Sequence, residues 1–346
     1  MIELQSDKLV VSFPELPEQP GLTIDFQRTL RIPDDAKNYP LPPGLGSFPL
    51  RHIDDHASRL PAGWLKRGGV LLPMWQAEAL WLNFHSKYIL NRETQYRFAI
   101  KIATGKISAI TGETWQRGLT RNPQDYLVVP GQPWLDGYCV GKGIIRQFVA
   151  MPLGEGYTAE EQLTGEADFG GMQIEVFPMR HEVFEKRFPI VRREYDVGMF
   201  SRPEAVSFKL GECVARMGLA PGGRMRQEIY EDPFSIHEWD TDHRSRCFIH
   251  LVNSTTWQAI TGQRPPTRPP TARQYTQAGY PWFDYYDAEA KALNGSSTLA
   301  NLKSVRTLGQ KKRESPLPEN ASVSVTHLIN LRAGLRPHQV RESDFS

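Results

Sequence analysis

The sequence predicts a strand-rich α+β fold, internally duplicated, in which two related halves pack about a pseudo-twofold axis and short capped helices cover the sheets. Three observations carry that prediction. Short β-branched or aromatic runs recur between turn residues, 27 Pro and 28 Gly in 346 residues favour many short elements over long helices, and a pair of motifs is written twice.

The runs are, in chain order, "KLVVSF", "LTIDF", "YRFAIKIA", "IIRQFVAM", "MQIEVFPM", "AVSFKL", "RCFIHLV" and "SVSVTHLI". Several alternate apolar with polar residues, the pattern of a strand buried on one face. Helix starts are marked by capping boxes, Thr158-Ala-Glu-Glu161 and Thr271-Ala-Arg-Gln274, the second closed by Gly279.

Aligning Phe98 with Phe248 sets "FAIKIATGKISAITGE" over "FIHLVNSTTWQAITGQ", and further on "GQPWLDGY" lies over "GYPWFDYY". Two matched motifs in the same order, with Tyr126 and Tyr275 between them, imply a duplication with a period of about 150 residues, the size of a domain. On this reading Thr111 and Gly112 end a structural element, Gly supplying a left-handed stop. "QRPPTRPPT" is expected to be extended, and "TRNPQDY" to hold a one-turn helix with Asn122 as N-cap and Pro123 at its first position. The organisation that follows is a first half, 1–138, with its repeat copy at about 69–138, and an inserted β-rich segment, 139–200. A second half with the other copy, 201–290, and a C-terminal extension and tail, 291–346, complete it.

Forty-one Lys and Arg against 39 Asp and Glu leave a net charge of +2, so no global field marks a nucleic acid or an anionic membrane as partner. The run Lys311, Lys312, Arg313 is three charges without an aromatic platform and reads as a solvated linker. Cys139, Cys213 and Cys247 are odd in number and form no CxxC, which points to a reducing compartment. The N-terminal stretch lacks the pattern of a secretory signal, and no apolar run approaches the ~20 residues that span a bilayer. A cytoplasmic protein without a transmembrane segment is expected, with the paired surfaces of the two halves supporting a homo-oligomer.

The segments "PWLDGYCVGKGIIRQFVAMPLGEGYTAEEQLTG" and "MRQEIYEDP", with "CFIHLVNSTTWQAITGQRPPTRPPTARQYTQAGYPWFDYYD", resemble a family of uncharacterised bacterial and fungal proteins. The resemblance covers most of residues 40–310. It implies no catalytic residues, because the family has no established activity. Members sometimes carry the label "integral membrane protein", against which the lack of a spanning segment stands.

Candidate chemistry is sparse. Walker A, a strand-borne GxGxxG, GxSxG and HExxH are all missing. "EDPFSIHEWDTDHRSRCFIH" is the densest group of ligand-type residues, and His237, Asp240, Asp242, His243 and His250 form a candidate site for a divalent metal. In "RHIDDHASRL", His52 and His56 would share one face of a helix. The glycines of "PLGEGYTAEEQL" precede a helix start whose backbone amides could receive an anion, but Glu160 and Glu161 crowd that end and suit the helix dipole themselves. Asp136 and Asp284, each beside a Trp of the repeated corner, are turn residues that also form a candidate ligand pocket with Trp134 and Trp282.

Three functions remain. The first is a non-enzymatic binding or self-assembling protein, the second a hydrolase-like metal-dependent enzyme using the His237–His250 cluster. The third is a small-ligand sensor with an aromatic pocket between the halves.

Overall fold

The computed structural model describes residues 1–35, 37–191, 216–287, 289–314, 323–325 and 327–332. The run "AVSFKL", Cys213, the 200/201 boundary and most of the C-terminal tail lie outside them.

Strands β1 (Ile2–Gln5), β2 (Lys8–Ser12) and β3 (Gly21–Thr29) form an antiparallel meander. Burial alternates residue by residue along β2, as a period of two requires of a strand with one buried face. The short β4 (Asn38–Tyr39) and β5 (Arg51–His52) precede α1 (Ala62–Arg67), β6 (Val70–Met74) and β7 (Ala79–Ser86). A small hairpin, β8 (Tyr88–Ile89) with β9 (Thr94–Gln95), leads to β10 (Phe98–Thr104), β11 (Ile107–Ser108) and β12 (Leu127–Val129). One stretch interrupted only at Asp136 gives β13 (Trp134–Leu135) and β14 (Gly137–Gly141), and β15 (Ile144–Pro152) folds back on it. Next come α2 (Ala159–Thr164), β16 (Met172–Pro178), α3 (His181–Arg187), β17 (Met217–Arg226) and β18 (Ser245–Asn253). The C-terminal part holds α4 (Ser254–Thr261), α5 (Ala272–Gln277), β19 (Trp282–Tyr286), α6 (Ser297–Ala300), α7 (Val305–Lys311) and β20 (Leu328–Arg332).

Two large sheets result, and the fold is α+β and strand-rich. One runs β1-β2-β3-β7-β15-β17-β4, with β13 beside β7 and β14 beside β15; the other runs β11-β10-β16-β18-β6-β5, with β12 beside β10. Leu22, Ile24 and Phe26 of the first share one core with Phe98, Ile100, Ile174, Val176, Ile249 and Leu251 of the second. Because side chains alternate across a strand, β18 also buries its other face: Val252 packs there with Trp64 of α1 and Trp257 and Ile260 of α4. Residues 139–200, read from the sequence as an insertion, supply the middle of both sheets, with β15 between β7 and β17 and β16 between β10 and β18. Among the described residues no helix is long and apolar enough to cross a membrane.

Both capping boxes form. Thr158 Oγ1 accepts from the Glu161 amide at 3.2 Å while the Glu161 carboxylate accepts from the Thr158 amide at 3.1 Å, and Thr271 and Gln274 make the same exchange. Glu161 Oε1 also takes the amides of Gly154 (2.8 Å) and Gly156 (2.7 Å), so a side-chain carboxylate fills the place an anion would take. Thr158→Ala should cost about 1 kcal/mol of stability, the usual worth of an N-cap hydroxyl, read as a lower urea midpoint at unchanged slope.

Gly112 ends the turn that follows β11 and Gly262 ends α4, with φ of 74° and 73° in the left-handed region. Each amide donates four residues back, to Ser108 and Gln258, and the Thr111 and Thr261 hydroxyls both accept from the amide two residues on. Two expectations need correction. Asn122 and Pro123 do not start a helix: their peptide bond is cis and lies in a tight turn bridged between Arg121 and Gln124. His52 and His56 do not share a helix face, because His52 belongs to β5 and His56 to a 3-10 turn (Asp54–Arg59) against which β5 packs.

Candidate functional site

Strands β7 and β15 pair at Leu80 with Phe148 and Ala79 with Val149, then part. Into this fork the chain threads β13, which pairs with β7, and β14, which pairs with β15. Asp136 stands where the two meet, its carbonyl accepting from the Phe148 amide at 3.0 Å. The next residue must be glycine, because a Cβ on Gly137 would lie 2.0 Å from the Arg146 carbonyl oxygen.

The Asp136 side chain is 2% exposed and meets Gln227, whose Nε2 donates to Oδ2 at 3.0 Å while its Oε1 accepts from the Asp136 amide at 3.1 Å. Gln227 is one of three buried glutamines that do the work of a strand partner. Gln132 accepts from the Tyr230 amide and donates to the Glu228 carbonyl; Gln124 accepts from the Asp232 amide and donates to the Tyr230 carbonyl. Residues 227–232 are thus fastened alongside residues 124–136 by side-chain amides, which satisfies backbone groups that burial would otherwise orphan.

Above Asp136 lies a cavity of about 230 Å³. Trp81 of β7 and Trp134 of β13 form its sheet side, and Leu41, Pro42, Pro43 and Gly44, with Phe283 of β19 and Leu331 of β20, form the other. Leu41 and Phe283 exchange backbone hydrogen bonds of 2.8 Å in both directions, which ties the two parts of that wall together. Trp134 meets Trp81 edge to face at 6.4 Å and Tyr285 at 4.8 Å, in the offset geometry that ring quadrupoles prefer. Gly44 allows the close approach, since a Cβ there would come within 2.5 Å of Gln27 Oε1 and 3.2 Å of the Trp81 ring.

Asp136 is the one ionisable group in that lining. Burial pushes its carboxyl up to about 8, opposed only by the Gln227 amide, so it is mostly uncharged at neutral pH. Other buried acids have stronger support: Glu78 pairs with Arg28 at 2.6 Å, Asp125 with Lys101 at 2.6 Å and Asp232 with Arg121 at 3.1 Å.

Of the four residues expected in an aromatic pocket, Trp134 and Asp136 line this cavity and the other two do not. Trp282 is buried against Tyr39 and Tyr275, with ring centroids at 6.1 and 5.3 Å, and Asp284 pairs with Arg226 at 2.8 Å. The two repeated aspartates are held by consecutive residues, Asp284 by Arg226 and Asp136 by Gln227.

The five candidate metal ligands are spread over a turn and a strand. Asp240 accepts from the amides of Asp242 (3.0 Å) and His243 (3.1 Å) and from His243 Nδ1 (2.8 Å). Burial raises its carboxyl, but these donors outweigh that and hold it below the ordinary range, the behaviour of an Asp closing a turn. His237 lies in a 3-10 turn (Ile236–Glu238) and its carbonyl accepts from Arg180. His250 is a core residue of β18, with Nε2 at 3.0 Å from the Gly68 carbonyl and the ring stacked on Trp64 at 4.5 Å. Burial takes its pKa down to about 4, so it is neutral. Among the described residues no group of three or more His, Cys, Asp or Glu could hold a metal ion.

A larger cavity of about 660 Å³ lies between the Ile110–Thr111 turn and residues 293–298. Of its charged lining residues, Lys291 pairs with Glu231 and Arg121 reaches Asp232, while Glu113 forms no ion pair among the described residues. The Cys139 thiol in its wall is pushed up to about 12 by burial, far from nucleophilic.

Compared with family models, curated proteins and solved structures, the chain matches none. Sequence reasoning reached Trp134 and Asp136 through the repeat. It missed Trp81, although "ALWLNF" alternates as a strand does, and it missed Gln227 and the Leu41–Gly44 wall, which carry no local signal.

Proposed function

We propose that this is a non-enzymatic small-ligand-binding protein whose ligand occupies the cavity between Trp81, Trp134 and Phe283. The observation that carries the reading is a preformed, mostly apolar hollow with one convergent polar group, the usual anatomy of a small-molecule site. Its volume, below the roughly 300 Å³ at which drug-sized sites begin, suits a small metabolite.

The test is a thermal-shift screen of small apolar and amphiphilic metabolites against the native chain and Phe283→Ala. Ligands that raise the Tm of the native protein should lose at least half of that shift in the variant. Equal shifts in both would place the ligand elsewhere and sink the reading.

The matched Gly112 and Gly262 stops favour descent of the two copies from one duplicated segment. The buried free thiols of Cys139 and Cys247 suit a reducing, cytoplasmic setting. Homo-oligomer formation and membership of the uncharacterised bacterial and fungal family rest on the sequence alone.

A further inference from the structure

The ligand-binding reading can be taken one step further, to the chemical class of the ligand, and the inference rests on that reading. Walls of Trp81, Trp134 and Phe283, with Tyr285 edge-on behind Trp134, present aromatic surface around one acid. Electron-rich ring faces attract cations, and rings around a carboxyl form the cage that recognises alkylated ammonium groups. The acid is the unusual member. A carboxyl buried beside a purely apolar ligand costs stability that a leucine or asparagine of similar size would not.

No cation among the described residues compensates it. Among the described residues Asp136 forms no ion pair, and the charges on the surrounding elements are engaged elsewhere. On β17, Arg226 is taken by Asp284; on β15, Arg146 faces Asp34 at 3.5 Å; on β3, Arg28 is taken by Glu78. His85 on β7 is exposed, Arg224 on β17 is exposed near Arg146, and Glu228 follows Gln227 half-buried. Tyr285 of β19 is held in its neutral form by burial. Among the described residues no cation meets the acid at the floor of the cavity, and a ligand is well placed to bring one.

We propose that the cavity takes a small alkylammonium ion, its charge against the Asp136 carboxylate and its alkyl groups against Trp81, Trp134 and Phe283. The carboxyl, protonated at neutral pH in the empty protein, gives up its proton as the cation arrives, because an adjacent positive charge favours the ionised form. Binding and proton release are then one event.

The experiment is calorimetric titration with choline, a permanent cation, and with its uncharged carbon isostere 3,3-dimethylbutan-1-ol, at pH 6.5, 7.5 and 8.5. Below about pH 8 choline should bind roughly tenfold more tightly for each unit that the pH rises, with about one proton released per ligand at pH 6.5, since only the protein titrates. Asp136→Asn, shown folded by its Tm, should lose choline binding at least tenfold and lose the pH dependence with it. The isostere should bind weakly at every pH. Equal binding of the two probes, insensitive to pH, would overturn the cation assignment while leaving a small-ligand cavity in place. Failure of choline to bind the native protein, with the Phe283→Ala screen still finding cavity ligands, would overturn it as well, and failure of both would remove the cavity reading too.

Discussion

Between about pH 6.5 and pH 8 the protein is expected to lose stability as the pH rises, and Asp136→Asn is expected to remove about one proton's worth of that slope. A carboxyl whose folded pKa is raised, here from 3.8 to about 8, keeps a proton in the folded chain that the unfolded chain has already released. Where the folded state binds more protons, rising pH favours unfolding, so the stabilisation is full below about 4 and lost as the pH passes about 8. The slope is roughly 1.4 kcal/mol per pH unit, and the whole effect is on the order of 5 kcal/mol. Asparagine keeps the shape of the neutral acid and its contact with Gln227 but has no proton to lose. Urea midpoints at pH 5, 6, 7 and 8 should therefore fall more gently in the variant, which should be the more stable protein at pH 8. Parallel slopes would mean that Asp136 does not hold its proton. Glu78, Glu160 and Glu175 are also raised by burial and add slope of the same sign, whereas His250 and His56, lowered by burial, oppose it below about 6.5, so the difference between variant and native chain is what isolates Asp136.

Lys101→Met should cost about 3–5 kcal/mol, the usual penalty for stripping one partner from a buried ion pair. Lys101 is 1% exposed on β10. Its ammonium meets Asp125 at 2.6 Å, donates to the carbonyls of Gln116 (2.8 Å) and Gly118 (2.7 Å), and lies 5.1 Å from the Trp115 ring centroid. Methionine preserves the stem and leaves the Asp125 carboxylate beside Glu175, the cross-strand partner of Lys101, with no ammonium between them. Adding Asp125→Asn to Lys101→Met should recover more than half of the loss, because the uncompensated charge, rather than the missing methylenes, is what costs. A double variant no more stable than the single one would assign the effect to packing. Far-ultraviolet circular dichroism during denaturant melts of the native chain, both single variants and the pair closes the cycle.

What the sequence disclosed and what it withheld divide along physical lines. Strands with a clean period of two, such as "KLVVS" at Lys8–Ser12, and helices with reciprocal caps, such as Thr158–Glu161, were legible because a few neighbouring residues decide them. The roles of β15 and β16 were not, because a centre strand differs from an inserted one only in what pairs with it. The cavity was half visible. Trp134 and Asp136 stood out through the repeated corner, whereas Trp81, the Leu41–Gly44 stretch and Leu331 arrive from distant parts of the chain. Density of ligand-type residues misled between His237 and His250, where Asp240 spends its oxygens on its own turn and His250 faces into an aromatic stack.

The side-chain clasp of Gln124, Gln132 and Gln227 has a consequence for how this protein can change over generations. A backbone ladder accepts almost any residue along its length but fixes register in steps of two. A clasp of amide side chains reverses that bargain, leaving residues 227–232 without ladder register on the side facing 124–136, though not on the side where Tyr230 bridges Ala292, while fixing the identity of three positions. Each must both give and accept a hydrogen bond, which glutamate of the same shape cannot do once ionised. Drift is thereby closed to the glutamines, and the one nearest the cavity couples inheritance of the fold to inheritance of Asp136.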